Sequence, residues 1–310
     1  MAELLRRYGM GLTVLASALT AFWLLALVVL PYLGLFEQSF RPYLPVVDVG
    51  GPKDVYSINN YLTVFHNPTE IDFLGAKITI PIHLWVFAIT IIYSGLTTIV
   101  SMLLCYPIAF YMAKVISPKS LPTFLLLLVV PMWVSELLRA FAWFIILAFK
   151  GPLTITLQSL GIITDPVHWT WGLGGYSGVI IGLNYAYILF MLFPLYNAMT
   201  SLDSNQLEAA EDLGAKWWQT HWRVIVPHTK PGIASGSVTV FMLSVGSILV
   251  PTLVSSPSSR WFTEIIQQWM FESADWNTGA AYAFMLLIVC VIFVTLMMRL
   301  FKVGLADIAK

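Results

Sequence analysis

Few side chains in this sequence could do chemistry, and those few gather in two places. Glu136 and Arg139 stand three apart in an otherwise apolar stretch, which puts them on one face if that stretch is helical. Farther along, Leu207-Glu208-Ala209-Ala210-Glu211-Asp212-Leu213-Gly214-Ala215-Lys216 leads on to Val224-Ile225-Val226-Pro227. Neither group is a nucleophile–base set. The chain contains no Gly-x-x-x-x-Gly-Lys-Ser/Thr to cradle phosphates, no His-Glu-x-x-His and no Gly-x-Ser-x-Gly. His83, His168, His221 and His228 lack metal-ligand spacing. Cys105 and Cys290 both fall in apolar runs, which suits two small core residues better than a disulfide. No catalytic residue, metal or bound cofactor is expected of this chain.

The elements that position these residues must be membrane helices. Apolar residues make up 58% of the chain and charged residues 10%, against about 25% charged in ordinary soluble domains. Such a chain cannot clothe a surface in water. Its 16 basic and 16 acidic residues cancel, so nothing favours nucleic acid. Crossing a bilayer takes roughly 20 apolar residues. Charge-free windows at 8–36, 78–113, 120–135 (to 149 if Glu136 and Arg139 are tolerated), 166–202, 231–259 and 276–298 supply them. Six helices are predicted, at about 12–35, 82–112, 121–148, 176–200, 232–254 and 277–299, in a single transmembrane domain over 1–310. The first window, behind Arg6 and Arg7, outruns a signal-peptide core of about 7–15 residues and reads as a retained anchor.

Basic residues set the orientation. With the N-terminus inside, the cytoplasmic segments hold Arg6, Arg7, Lys114, Lys119, Lys216, Arg223, Lys230, Arg299, Lys302 and Lys310. The outer segments hold Arg41, Lys53, Lys77, Lys150 and Arg260, which makes ten against five. Both termini and the loop 201–231 are then cytoplasmic, in a multi-pass membrane protein. Trp85, Trp169, Trp171, Trp261, Trp269 and Trp276 are expected as an aromatic belt at the outer interface. Within the long outer segment 37–80, Ser57 to Phe65 has the cap and spacing of a short surface helix.

In loop 201–231, Asp203 or Ser204 can cap a helix, and acids near its start suit the helix dipole. Ala209 and Ala210 give a face that a partner can approach closely, and Gly214 stands where the chain must turn. A second short helix carrying Trp217, Trp218 and Trp222 is expected to end at Pro227. Glu-Ala-Ala, three residues, Gly, nine residues and then aliphatic–x–aliphatic–Pro resembles the motif of permease subunits of type I ABC importers. Tyr106-Pro107-Ile108-Ala109-Phe110, Val130-Pro131-Met132-Trp133, Gly182-Leu183-Asn184-Tyr185 and Pro194-Leu195-Tyr196 are similar to the spermidine/putrescine branch, with Glu136 standing where that branch usually has an uncharged polar residue.

The resemblance implies an all-α, six-helix type I permease fold with a cytoplasmic coupling helix. It implies that Glu208, Ala209, Ala210, Asp212, Leu213, Gly214, Ala215 and Pro227 serve coupling to an ATP-binding subunit. The implied assembly has two ATPases carrying ATP and Mg, a second permease and a solute-binding protein. The solute expected first is a polyamine or similar organic molecule. Ferric iron, thiamine, phosphonate or opine importers, and an independent secondary transporter, stand as alternatives.

For Glu136 and Arg139 two readings stay open. They form a mutual ion pair, or Arg139 snorkels to the interface. Otherwise they line the outer part of the solute path, with Arg139 as a gate or anchor and Glu136 meeting a cation. Trp133, Asn184, Tyr185, Tyr187, Ser235, Ser237, Ser244 and Ser247 are further candidates for the path, although small residues also serve simply to pack helices closely.

Overall fold

The computed structural model describes residues 2–73, 76–167, 169, 175–255 and 259–304. The expected positions of Trp171 and His168 fall outside these residues. The chain forms two compact units, residues 1–67 with 266–285 and residues 68–265 with 286–310.

In the first unit, α1 (Ala2–Leu24) is interrupted at Gly9, where φ is 76°. It passes through a π-helical turn, Leu25–Val29, into α2 (Leu30–Ser39). The surface helix expected at 57–65 is present as α3 (Asn59–Leu62) and a 3-10 turn, Thr63–Phe65. Asn60 ties it back, its side-chain amide donating to the carbonyls of Ser39 and Arg41 at 2.9 and 2.8 Å. Arg41 is bracketed by Glu37 at 2.6 Å and Asp54 at 2.8 Å.

The second unit opens with an antiparallel hairpin, β1 (Pro68–Phe73) and β2 (Ala76–Pro81), registered Pro68 opposite Pro81. An all-helical expectation missed it. The β-branched alternation in Ile78-Thr79-Ile80 was its signal. α4 (Ile82–Phe110) continues as a π-helical turn, Tyr111–Val115. The predicted helix 121–148 is instead broken. α5 (Leu121–Val129) and a 3-10 turn, Val130–Trp133, lead to α6 (Glu136–Ile146) across an 89° bend. Pro131 cannot donate the next helical hydrogen bond, and Val134 and Ser135 are extended. α7 (Pro152–Ser159) is short, and α8 (Gly175–Thr200) matches the span predicted at 176–200.

Next come α9 (Ser204–Asp212), α10 (Trp217–Thr220), a π-helical turn His221–Ile225, and α11 (Val226–Gly246). The helix predicted at 232–254 thus starts earlier and breaks at Ser247 before α12 (Leu249–Val254). α13 (Phe262–Gln267) runs into a π-helical turn, Gln268–Glu272, and α14 (Trp276–Phe301) closes the series. Four uninterrupted helices, Gly9–Ser39, Ile82–Val115, Tyr176–Thr200 and Trp276–Phe301, are long and apolar enough to cross a membrane, and the bent pair makes a fifth. α11 has the length for a sixth, about 31 Å at 1.5 Å per residue.

Close backbone approach holds α11 against α8. A Cβ on Gly232 would lie 2.5 Å from the Pro194 carbonyl oxygen, and one on Gly236 2.7 Å from the Met191 sulfur. This is a Gly-x-x-x-Gly face of the kind that lets membrane helices touch. Trp261, expected in an interfacial belt, is instead fully buried and donates its indole N–H to the Ser244 carbonyl at 3.2 Å. Thr263 takes the Ser247 carbonyl at 2.6 Å. α13 therefore satisfies carbonyls that the end of α11 leaves without helical partners.

Candidate functional site

The elbow between α8 and α11 is built by its caps. The Asp203 carboxylate accepts the Asn205 N–H at 3.0 Å and starts α9. At the other end the Gly214 N–H donates to the Glu211 carbonyl at 2.8 Å, and the Ala215 N–H to the Ala210 carbonyl at 3.0 Å. Those bonds form a Schellman motif, which needs a left-handed residue at its corner. Gly214 supplies it with φ 73°. Gln219 then reaches back to the Lys216 N–H at 2.9 Å and starts α10. The corner itself points outward: Leu213 is 88% exposed, and Glu208, Ala209, Asp212 and Gly214 are exposed around it. Ala210 and Ala215 are half-buried. An apolar tip of this size left to water calls for a covering surface.

Pro227 does not end the second helix. The chain is helical from Trp217 to Gly246, with Pro227 in the first turn of α11. The wide π-helical turn before it accommodates the missing N–H and the ring. The exposed elbow is consequently joined to a membrane helix without an intervening loop.

The root of the elbow is anchored in the core. Leu207, Val224 and Val226 pack against a cluster containing Met112, Leu195, Met199 and Ile225. His221 is buried between Trp217 and Phe110, with ring centroids at 4.3 and 4.7 Å, and its Nδ1 lies 2.9 Å from the Tyr106 hydroxyl on α4. Burial pushes the His221 pKa below the usual imidazole value. Lys114 donates to the Leu202 carbonyl, and Ser201 meets His228 Nε2 at 3.1 Å. These polar ties were not anticipated. A histidine among tryptophans was the only hint.

Within the membrane segments, Glu136 and Arg139 sit in the first turn of α6, both half-buried. They do not pair. Neither is in an ion pair among the described residues, in contrast to Arg41 and Lys53. Instead the Tyr187 hydroxyl donates to Glu136 Oε1 at 3.0 Å. Arg139 Nε is buried with no hydrogen-bond partner, and so is Ser247 Oγ at the break after α11. Asn184, one turn before Tyr187 on α8, is buried and accepts from Ser101 at 2.7 Å. Ser244 is buried with its hydroxyl unpartnered. Trp133 and Tyr185 are exposed, and the Tyr185 ring meets Trp143 edge-on at 5.5 Å. The sequence candidates for a path therefore separate into a buried polar set and an exposed aromatic set.

A polytopic helical protein with a capped, apolar-tipped elbow rooted in its core has the form of a transport permease subunit. The chain belongs to the binding-protein-dependent transport system inner membrane component family, whose family model matches residues 106–303. It is 33% identical over 267 residues to the spermidine/putrescine transport system permease protein PotB of Escherichia coli, covering 86% of this chain and 90% of that one. Against the PotB of Haemophilus influenzae it is 38% identical over 188 residues, covering 61% of this chain and spanning 64% of that relative's length. Among solved structures, a bacterial alginate ABC transporter in complex with an alginate pentasaccharide-bound periplasmic protein superposes with a TM-score of 0.73, at 19% identity over 98% of this chain and 99% of that one. The fold is that of the type I ABC importer permeases, and the chain is a membrane-embedded permease subunit for a small solute.

Proposed function

We propose that this permease imports a polyamine or similar organic solute in an assembly with two ATPase subunits, a second permease and a solute-binding protein. The elbow docks into a groove of an ATPase. Closure of the ATPases around ATP and Mg pushes the elbow, and the unbroken run from Trp217 to Gly246 carries that displacement into the membrane. Both termini and the elbow are cytoplasmic. Glu208, Ala209, Ala210, Asp212, Leu213, Gly214 and Ala215 form the docking tip, and Pro227 sits at the entry into the membrane helix. The solute class comes from relatives named for spermidine and putrescine.

The observation that carries the coupling role is Leu213, an exposed leucine held at a corner whose every hydrogen bond is internal. Its replacement by aspartate disturbs no core contact. In vesicles holding the full transporter, Leu213→Asp should abolish ATP-driven uptake of radiolabelled putrescine at a normal membrane level, and should end stimulation of ATP hydrolysis by loaded binding protein. Undiminished uptake and stimulation would remove the elbow from the ATPase interface.

A further inference from the structure

Two opposite charges lie on one face of α6 inside the membrane region and leave each other unpaired. An intramembrane charge is costly unless it is answered by a partner, water or a ligand, and a residue three positions away is the nearest available answer. Yet Glu136 is held by Tyr187 instead, with no other hydrogen bond or ion pair among the described residues, so its second oxygen stays open. The carboxylate sits in the first turn of an eleven-residue helix. Arg139 keeps Nε buried and unpartnered.

The surroundings point the same way. α6 begins where the α5–α6 pair bends by 89°, and α11 breaks at Ser247. Ser247 is 5% exposed, and its hydroxyl is unpartnered. Interrupted membrane helices with unmet polar groups facing one position are how transport proteins seat solutes at membrane depth. The unmet capacity on this face of α6 is one anionic acceptor and one cationic donor.

We infer that Glu136 and Arg139 form a solute subsite, supported by Tyr187, for a molecule carrying both a protonated amine and a carboxylate. The amine replaces the missing partner of Glu136, and the carboxylate that of Arg139. A diamine would satisfy Glu136 and place its second charge against Arg139, where like charges repel. This rests on the importer function and narrows the cargo within the organic amines.

Cells expressing the chain with its cognate subunits would be given a series of ω-amino acids of three to six carbons, and the diamines of matching length. The wild type should take up at least one ω-amino acid in preference to its diamine. Loss of a charge-assisted hydrogen bond should raise KM about tenfold or more in Glu136→Gln and in Arg139→Gln, with smaller changes in kcat. Arg139→Gln should also improve diamine uptake, and Arg139→Lys should recover part of the amino-acid KM. Membrane levels of each variant guard against loss of folding. Uptake of diamines alone, with KM indifferent to both substitutions, overturns the subsite and leaves the polyamine importer standing. Uptake of ω-amino acids alone overturns the polyamine cargo and leaves the subsite standing. Uptake of neither series overturns both.

Discussion

At the residue scale, the backbone conformation at Gly214 dictates its identity. Its φ of 73° suits glycine, and an added Cβ would meet nothing within 4 Å. Any effect of substitution is therefore backbone strain and not a clash. A left-handed conformation costs an L residue roughly 1–2 kcal/mol, with asparagine the mildest exception. Gly214→Val should loosen the corner that presents Leu213 and lower the ratio of solute moved to ATP hydrolysed, while Gly214→Asn should keep most of it. Measuring that ratio at matched membrane levels checks the ordering, and equal ratios for the two variants would contradict it. Gly246 makes a useful control, since it too has open space but no positive φ.

At the scale of elements, one contact surface and one tether make different demands. The Gly232 and Gly236 face of α11 meets the Pro194 carbonyl, the Ala198 methyl and the Met191 sulfur of α8. A backbone carbonyl cannot swing aside, so Gly232→Leu should overpack the pair by about 1–3 kcal/mol and cut the amount of folded protein in the membrane. The tether is the His221–Tyr106 hydrogen bond between the elbow root and α4. His221 is held neutral by burial, so its folded pKa lies below the unfolded one. Stability from this site is then present above the ordinary imidazole value and lost as pH falls toward the folded value. His221→Phe should flatten that acid-side loss while weakening coupling, because the ring packing survives and the link to α4 does not. Tyr106→Phe should weaken coupling as well but keep the pH response. Identical pH profiles for wild type and His221→Phe would sink the tether.

The elbow was readable in the sequence because caps and corners depend on neighbours: Asp203 and Gly214 carry their geometry locally, whereas Pro227, expected to end a helix, lies inside a continuous one. The interruptions of the membrane helices were not. Periodicity and charge-free length describe 121–148 as one span, since Val134 and Ser135 are acceptable helix residues and only Pro131 warns of the bend. The break after Gly246 is equally silent, because what stabilises it is Trp261 and Thr263 reaching the freed carbonyls from residues more than a dozen positions away. Glu136 and Arg139 show the same limit. Spacing put them on one face, but whether they touch each other depended on Tyr187 from another helix.

At the scale of the whole molecule, the distribution of Lys and Arg dictates how the chain lies in the membrane. In the proposed orientation ten basic residues fall on the side of the termini and elbow and five on the other, and short basic segments resist translocation. The elbow must share the ATPases' compartment for coupling to operate, so topology and mechanism stand on the same fact. Single cysteines can report it. With Cys105 and Cys290 replaced by serine, Lys53→Cys in the segment after α2 and Trp222→Cys in the elbow offer exposed thiols, the tryptophan being 70% exposed. In intact cells whose outer membrane has been opened, a charged impermeant maleimide should label position 53 and leave position 222 untouched. Inside-out vesicles should reverse the pattern. Labelling of position 222 from outside would place the elbow away from any ATPase, and the coupling role would fall with it, whatever the solute.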